Sequence, residues 1–175
     1  MSILSIRDEQ PSDHDAIRSV LVAAFEGTVE ADLVERLRMS CPDQVSLVAA
    51  LKNVLVGHIL FTPACIDSLG RVIEGWALGP MAVHPDQQRT GIGSLMVESG
   101  IDCLRQKAAP FVAVLGHSDY YPRFGFERAS WWNLRAEWEV PDEAFMILPL
   151  ERRKLRLESG IVRYHPEFHS ASPER

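Results

Sequence analysis

Apolar residues recur along this chain with two different periods, and the changes of period mark its elements. Leu4-Ser5-Ile6-Arg7 alternates and predicts a short strand. Pro11-Ser12-Asp13-His14-Asp15 reads as a helix start, with Ser12 as N-cap and acidic residues in the first turn. Ile17, Val20, Leu21, Ala24 and Phe25 form one helical face, which Gly27 is expected to end. Val29, Leu33, Val34 and Leu37 predict a second helix, with Glu30 and Asp32 early and Arg36 and Arg38 late, as the helix dipole prefers. Residues 45–51 and 54–61 read as a hairpin about Lys52-Asn53, and 72–83 as a third antiparallel strand after a turn at Ser68-Leu69-Gly70-Arg71. A long amphipathic helix is expected over 92–107 and a continuous apolar strand over 110–115. A short helix at 120–124 and strands near 131–139 and 144–150 complete a first region, 1–150. Residues 151–175 read as an extension that packs as a helix and then frays at Pro166 and Pro173.

Pro80 is out of place in such a strand, because it removes a ladder N–H and is expected only at an edge or bulge. The run from 72 to 83 is too apolar for an exposed edge, so Gly79-Pro80 predicts a bulge. That bulge would bend the strand away from 110–115 and open a cleft in mid-sheet. Backbone groups of Met81, Ala82 and Val83 would then face the cleft and accept an amide-rich ligand as an extra strand.

Directly after this strand come Gln88-Arg89-Thr90-Gly91-Ile92-Gly93-Ser94 and the long helix. A strand, a glycine-bearing turn and a helix N-terminus in succession aim N–H groups and the positive end of a dipole at one spot, which suits a diphosphate. Gly91 and Gly93 allow close approach and positive φ. Neither the P-loop nor the dinucleotide fingerprint fits, because no Lys follows either glycine and Leu95-Met96 stands where a third glycine is needed. A tight turn made for packing remains the other reading of these residues.

With 175 residues and 46% hydrophobic content, the chain suits one domain with a sizeable core. A net charge of −6 argues against nucleic acid, and Arg152-Arg153-Lys154 reads as a solvated amphipathic stretch. Cys41, Cys65 and Cys103 have neither disulfide nor zinc spacing. No signal-peptide core and no membrane-length apolar run is found, so a cytoplasmic protein is expected, without metal and away from membranes.

The strand–Gln88-x-x-Gly91-x-Gly93–helix junction, followed by a strand and Tyr121-Pro122-Arg123-Phe124-Gly125-Phe126, resembles the GNAT superfamily of acetyl-CoA-dependent N-acetyltransferases. Leu78-Gly79-Pro80-Met81-Ala82-Val83 and the Tyr120–Phe126 wording look most like its YhbS-like branch. The resemblance covers roughly residues 3–150 and implies the GNAT α/β (α+β) fold. In that fold a mixed central sheet is splayed at a bulge in its fourth strand, with helices on both faces. It further implies that Gln88, Arg89, Thr90, Gly91, Ile92, Gly93 and Ser94 hold the CoA diphosphate while Met81, Ala82 and Val83 carry the pantetheine arm. Tyr121 matches the tyrosine that protonates the departing thiolate, and a phenol is a suitable acid for it; packing in the core is the plainer reading, and the one expected of Tyr120.

The chain departs from the family in two places. Several members carry Glu or His at the position of Ala77, yet 76–83 contains no ionisable residue, which leaves the base unassigned, with water one candidate. Gly116-His117-Ser118-Asp119 stands where the branch would have Gly-Asp-Pro-Ala. His117, Glu26 and Glu30 are candidates for the acceptor wall, with ordinary surface roles as the alternative. Trp131-Trp132 on a strand would send at most one indole into such a pocket. His165-Pro-Glu-Phe-His169 lacks the order of a zinc helix, and no serine has a nucleophile-elbow context. The expected activity is transfer of acetyl to a primary amine, probably the amine of a small molecule, and a homodimer is an expectation from the family alone. Two alternatives stand beside it: an acyl-CoA-binding sensor or interaction module without catalysis, and an acetyltransferase for protein amino termini.

Overall fold

The computed structural model describes residues 4–170. In chain order the elements are β1 (Leu4–Asp8), α1 (His14–Phe25), α2 (Val29–Ser40), β2 (Val45–Leu51), β3 (Val54–Ser68), β4 (Arg71–Val83) and α3 (Ile92–Gln106). They continue with β5 (Phe111–Leu115), β6 (Glu127–Arg128), β7 (Leu134–Ala136), β8 (Phe145–Pro149) and β9 (Gly160–Arg163). The strands form one mixed sheet in the order β1-β2-β3-β4-β5-β8-β6, with β9 on β3 and β7 on β9. The chain separates into two compact units, 1–61 with 80–103 and 166–175, and 62–79 with 104–165; β3, β4 and α3 run through both.

In the first unit Lys52 and Asn53 take φ of 50° and 67°, the mirror-image turn that a two-residue hairpin needs, and they fix the β2–β3 register. Side chains on β2 and β3 alternate between faces. Val48 and Leu60, with Ala82, join Ile17, Leu21, Val34 and Leu37 in the core beneath α1 and α2. On the other face a Cβ at Gly57 would come 2.9 Å from Met96 Cε, and one at Gly100 would run into the Phe61 ring, so α3 packs there on bare backbone. Helices therefore cover both faces of this part of the sheet.

The start and end of α1 differ from expectation. Ser12 lies inside a 3-10 turn, Pro11–Asp13, and Asp13 caps instead: its carboxylate accepts the Gln10 N–H at 2.8 Å and is clasped by Arg7 at 2.6 and 2.9 Å. At the other end Glu26, with φ 57°, takes the left-handed position expected of Gly27.

Beside the end of β1 lies a buried polar cluster. Arg38 Nε donates to Glu9 Oε1 at 2.7 Å, Ser46 Oγ donates to Glu9 Oε2, and His58 Nε2 is 2.8 Å from Ser46 Oγ. Burial alone would raise the Glu9 pKa, but His58, Arg38 and Ser46 outweigh it and hold the carboxyl at about 2. Burial pushes the fully enclosed His58 below its ordinary 6.5 despite Glu9.

In the second unit β4 runs parallel to β5 from Trp76↔Val112 to Leu78↔Val114. The ladder stops there, one residue before Gly79 with φ 147°. β8 lies antiparallel to β5 and carries β6 on its far side. Two expectations fail here. Only Leu134–Ala136 of 131–139 is a strand, since Trp131 and Trp132 occupy a 3-10 turn that Asn133 ends at φ 56°. The strand-alternation argument therefore does not apply to them. Trp131 is exposed, while Trp132 Nε1 donates to Glu127 at 2.9 Å. The extension is not a packed helix: Gly160–Arg163 is β9, antiparallel to β3 and parallel to β7, and helical geometry is confined to a 3-10 turn at Pro166–Ser170. Pro166 opens that turn, and Pro173 lies outside the described residues. Among the described residues no helix is long and apolar enough to cross a membrane.

Candidate active site

In the first unit, β4 leads into a short, closely bonded turn. His84 N–H donates to Val56 O at 2.8 Å, Gln88 Nε2 reaches back to Val83 O at 3.1 Å, and Thr90 Oγ1 donates to Gln87 O at 2.6 Å. These side chains spend their polar groups on the turn itself, which leaves the backbone facing outward as the binding element. Positive φ falls on Arg89 (61°) and Gly91 (90°); Gly93 lies inside α3. The first helical bond runs from Leu95 N–H to Gly91 O at 3.1 Å. The N–H groups of Ile92, Gly93 and Ser94 therefore precede the ladder, at the positive end of a helix of 15 residues. Gln88, Arg89, Thr90 and Gly91 are exposed, and Ile92 anchors the helix start in the core. Met81 and Val83 are half-buried, with Ala82 turned into the core.

In the second unit, Tyr121 opens a 3-10 turn, Tyr121–Phe124, closed by Gly125 at φ 94°. The turn hangs from β5: Gly116 N–H donates to Ala144 O at 2.9 Å, and His117 O accepts the Tyr120 N–H at 3.1 Å. The Tyr121 ring lies directly on Gly116, where a Cβ would strike it, and meets Tyr120 and Phe126 edge-on at 5.1 and 5.5 Å. It is 7% exposed, and burial, with Tyr120 adding to it, raises the phenol well above 10, so it is protonated at neutral pH. Tyr120 packs as expected, between Phe124 at 5.4 Å and the Arg123 guanidinium at 4.6 Å.

The remaining candidates are peripheral. Glu26 and His117 are exposed, and Glu30 is half-buried in the first turn of α2. Ala77 is fully buried opposite Ala113, so no base stands on β4 at that position. Among the described residues no group of three or more His, Cys, Asp or Glu could hold a metal ion. Missed from the sequence are Glu137 and Tyr164, which meet in the second unit through a 2.8 Å bond from Tyr164 N–H to Glu137 Oε1. No motif marks them, and Tyr164 falls in the stretch read as a helical tail.

A family model described as "Acetyltransferase (GNAT) domain" matches residues 5–129, which contain both the turn and Tyr121. The chain belongs to the GNAT acetyltransferase family. It is 32% identical to an uncharacterized N-acetyltransferase, YhbS of Escherichia coli K12, over 94% of this chain and 98% of that protein. A second relative from the same strain, the uncharacterized N-acetyltransferase YjhQ, is 42% identical over 66% of this chain and 65% of its own length. The crystal structure of E. coli YhbS in complex with CoA superposes with a TM-score of 0.87 at 31% identity, covering 97% of this chain and 93% of that one. A Brucella melitensis GNAT acetyltransferase in complex with acetyl-CoA gives 0.78 at 31% identity, covering 95% and 98%. As a member of this family the chain is an N-acetyltransferase, of the acyltransferase class.

Proposed function

We propose that this enzyme moves an acetyl group from acetyl-CoA to the primary amine of a small molecule by direct transfer. The observation that carries the reading is the Gln88–Ser94 turn, whose outward N–H groups at the start of α3 suit a diphosphate. In this reading Gln88, Arg89, Thr90, Gly91, Ile92, Gly93 and Ser94 cradle the diphosphate, and main-chain groups of Met81, Ala82 and Val83 take the pantetheine amides. The neutral amine attacks the thioester carbon, the N–C bond forms and the C–S bond breaks. The sulfur takes the Tyr121 proton, and the proton lost by the amine nitrogen restores the phenol. A protonated, buried Tyr121 supports its role as acid. The absence of an ionisable group from 76–83 supports water as the first acceptor of the substrate ammonium's proton. Glu26, Glu30 and His117 form the acceptor side, carboxylates being suited to a cationic amine. The acetyltransferase domain spans 1–150, followed by the 151–175 extension; the setting is cytoplasmic and the assembly a homodimer, which sedentary scattering or size-exclusion mass measurement checks directly.

A thermal-shift titration with acetyl-CoA, CoA and NADH tests the cofactor. A ligand at 100 times its Kd adds about 2.7 kcal/mol to stability. Response to the CoA species alone supports the reading, and no response removes it. CoA release across a panel of amines and amino-terminal peptides then separates small-molecule from protein acceptors. The apolar run around Ala77 favours one other reading, an acyl-CoA sensor without chemistry. It predicts acyl-CoA binding without turnover, and a Tyr121→Phe variant indistinguishable from wild type.

A further inference from the structure

β7 and β9 pair in parallel, with Ala136 opposite Val162, and both strands end at that point or one residue later. Two residues beyond the last pair, Trp138 and Tyr164 meet ring to ring at 5.2 Å, edge to face. Between them Glu137, its side chain 9% exposed, accepts the Tyr164 N–H at 2.8 Å through Oε1 and faces Arg163 Nη1 across 4.0 Å through Oε2. The Arg163 guanidinium also pairs with Asp67 at 3.3 Å, and Cys65 lies opposite Arg163 in the β3–β9 ladder. Tyr164 is 8% exposed, and its phenol is within electrostatic reach of both Tyr121 and Glu137. The C-terminal extension therefore delivers a second buried phenol to the neighbourhood of Tyr121, with a fixed carboxylate behind it.

We infer that Tyr164 is a positioning residue for Tyr121: held by Glu137, it keeps the proposed acid in place and protonated. The inference rests on the reading of Tyr121 given above. In a site screened from water, a phenolate on Tyr121 would face Tyr120, Tyr164 and the Glu137 charge, while the nearby cation, Arg163, is divided between Glu137 and Asp67. Burial adds to this, since it raises both phenols. Negative charge is thus repelled from Tyr121, so the phenol regains its proton quickly and remains ready to protonate a leaving thiolate. Neither Tyr164 nor Glu137 touches the reacting atoms in this account.

The chain has three tyrosines, so the full-length protein labelled with 3-fluorotyrosine gives three fluorine resonances, assigned by single Tyr→Phe variants. In Tyr164→Phe and in Glu137→Gln the Tyr121 resonance is expected to shift and its titration midpoint to fall by about one pH unit. Phe keeps the Trp138 ring contact and Gln keeps an acceptor for the Tyr164 N–H, so thermal midpoints should hold, and if one variant fails to fold the other decides. With acetyl-CoA and the best acceptor from the amine panel, kcat should fall about tenfold while KM for acetyl-CoA is unchanged. A Tyr121 resonance and midpoint unmoved in both variants overturns the inference, whatever the turnover. If the resonances are coupled but wild type releases no CoA with any acceptor, the acetyl-transfer reading fails and the Tyr121–Tyr164 pairing stands.

Discussion

His58 Nε2 lies 2.8 Å from Ser46 Oγ, and both sit against the Glu9 carboxylate that Arg38 holds from α2 at 2.7 Å. Four segments of the first unit (the end of β1, α2, β2 and β3) are thereby tied at one buried point. The tie depends on charge: Glu9 must be ionised and His58 neutral. Both groups bind protons more weakly in the fold than free in solution, Glu9 at about 2 against 4.5 and His58 below 6.5. A depressed pKa makes the unfolded state take up protons first, so stability falls as pH drops. The loss should begin below pH 6.5 through His58, then deepen between pH 4.5 and about 2 through Glu9, whose share is on the order of 2–3 kcal/mol. Urea midpoints at pH 7, 5.5 and 4 measure it, and a flat profile across that range would contradict the assignment.

Glu9→Gln should be costly at pH 7. It leaves the Arg38 guanidinium, 18% exposed, without its counter-ion, a change expected to cost about 3 kcal/mol. The variant should also lose most of the acid sensitivity between pH 4.5 and 2, which chemical denaturation at two pH values reads directly.

Gly91→Glu should abolish stabilisation by acetyl-CoA and leave the protein folded. The new side chain meets nothing within 4 Å, so the fold is disturbed only by strain at φ 90°, about 1 kcal/mol. Its carboxylate, however, would stand at the helix start proposed for the diphosphate. Thermal shifts with and without acetyl-CoA separate the two effects.

Tyr121→Phe should lower kcat by about 100-fold and leave acetyl-CoA binding intact. The Gly116, Tyr120 and Phe126 contacts all involve the ring, which Phe retains. Single-turnover CoA release and a binding isotherm on the same variant test this pair of outcomes.

Two glycines that face α3 packing should respond differently to alanine. At Gly57 the obstruction is the flexible end of Met96, which can swing aside, and the cost should stay under about 1.5 kcal/mol. At Gly100 the added methyl runs into the fully buried Phe61 ring, and about 1–3 kcal/mol is expected. Denaturant midpoints for both variants give the comparison.

The period of the apolar residues was enough to read α1, α2, the β2–β3 hairpin, β4, α3 and β5, because each buries one face or two. The turn from Gln88 to Ser94 was legible for a local reason, glycines at a strand-to-helix junction. What failed was set by partners distant in sequence. Trp131-Trp132 looks like a strand by composition, yet its backbone is turned by Asn133 at φ 56°. Gly160–Arg163 is too short to show alternation, and becomes a strand through pairing with Cys65–Asp67 and Leu134–Ala136. Tyr164 was hidden for the same reason, since its neighbourhood exists only once that ladder forms. Glu9, Ser46 and His58 are scattered over three segments and carry no motif. Ser12 lost the cap to Asp13 because Arg7, a residue on another element, could clasp a carboxylate and not a hydroxyl.

β9 is synthesised roughly 100 residues after the stretch of β3 that it covers. While the chain is still emerging from the ribosome, Cys65–Asp67 waits with one edge unpaired, and β7 has no strand to join. A truncated or stalled chain that stops before Gly160 would therefore carry an open edge, the kind of surface that recruits other strands. Completion of this enzyme is in that sense a late event, made by four residues near its far end, and the same event brings Tyr164 to its place.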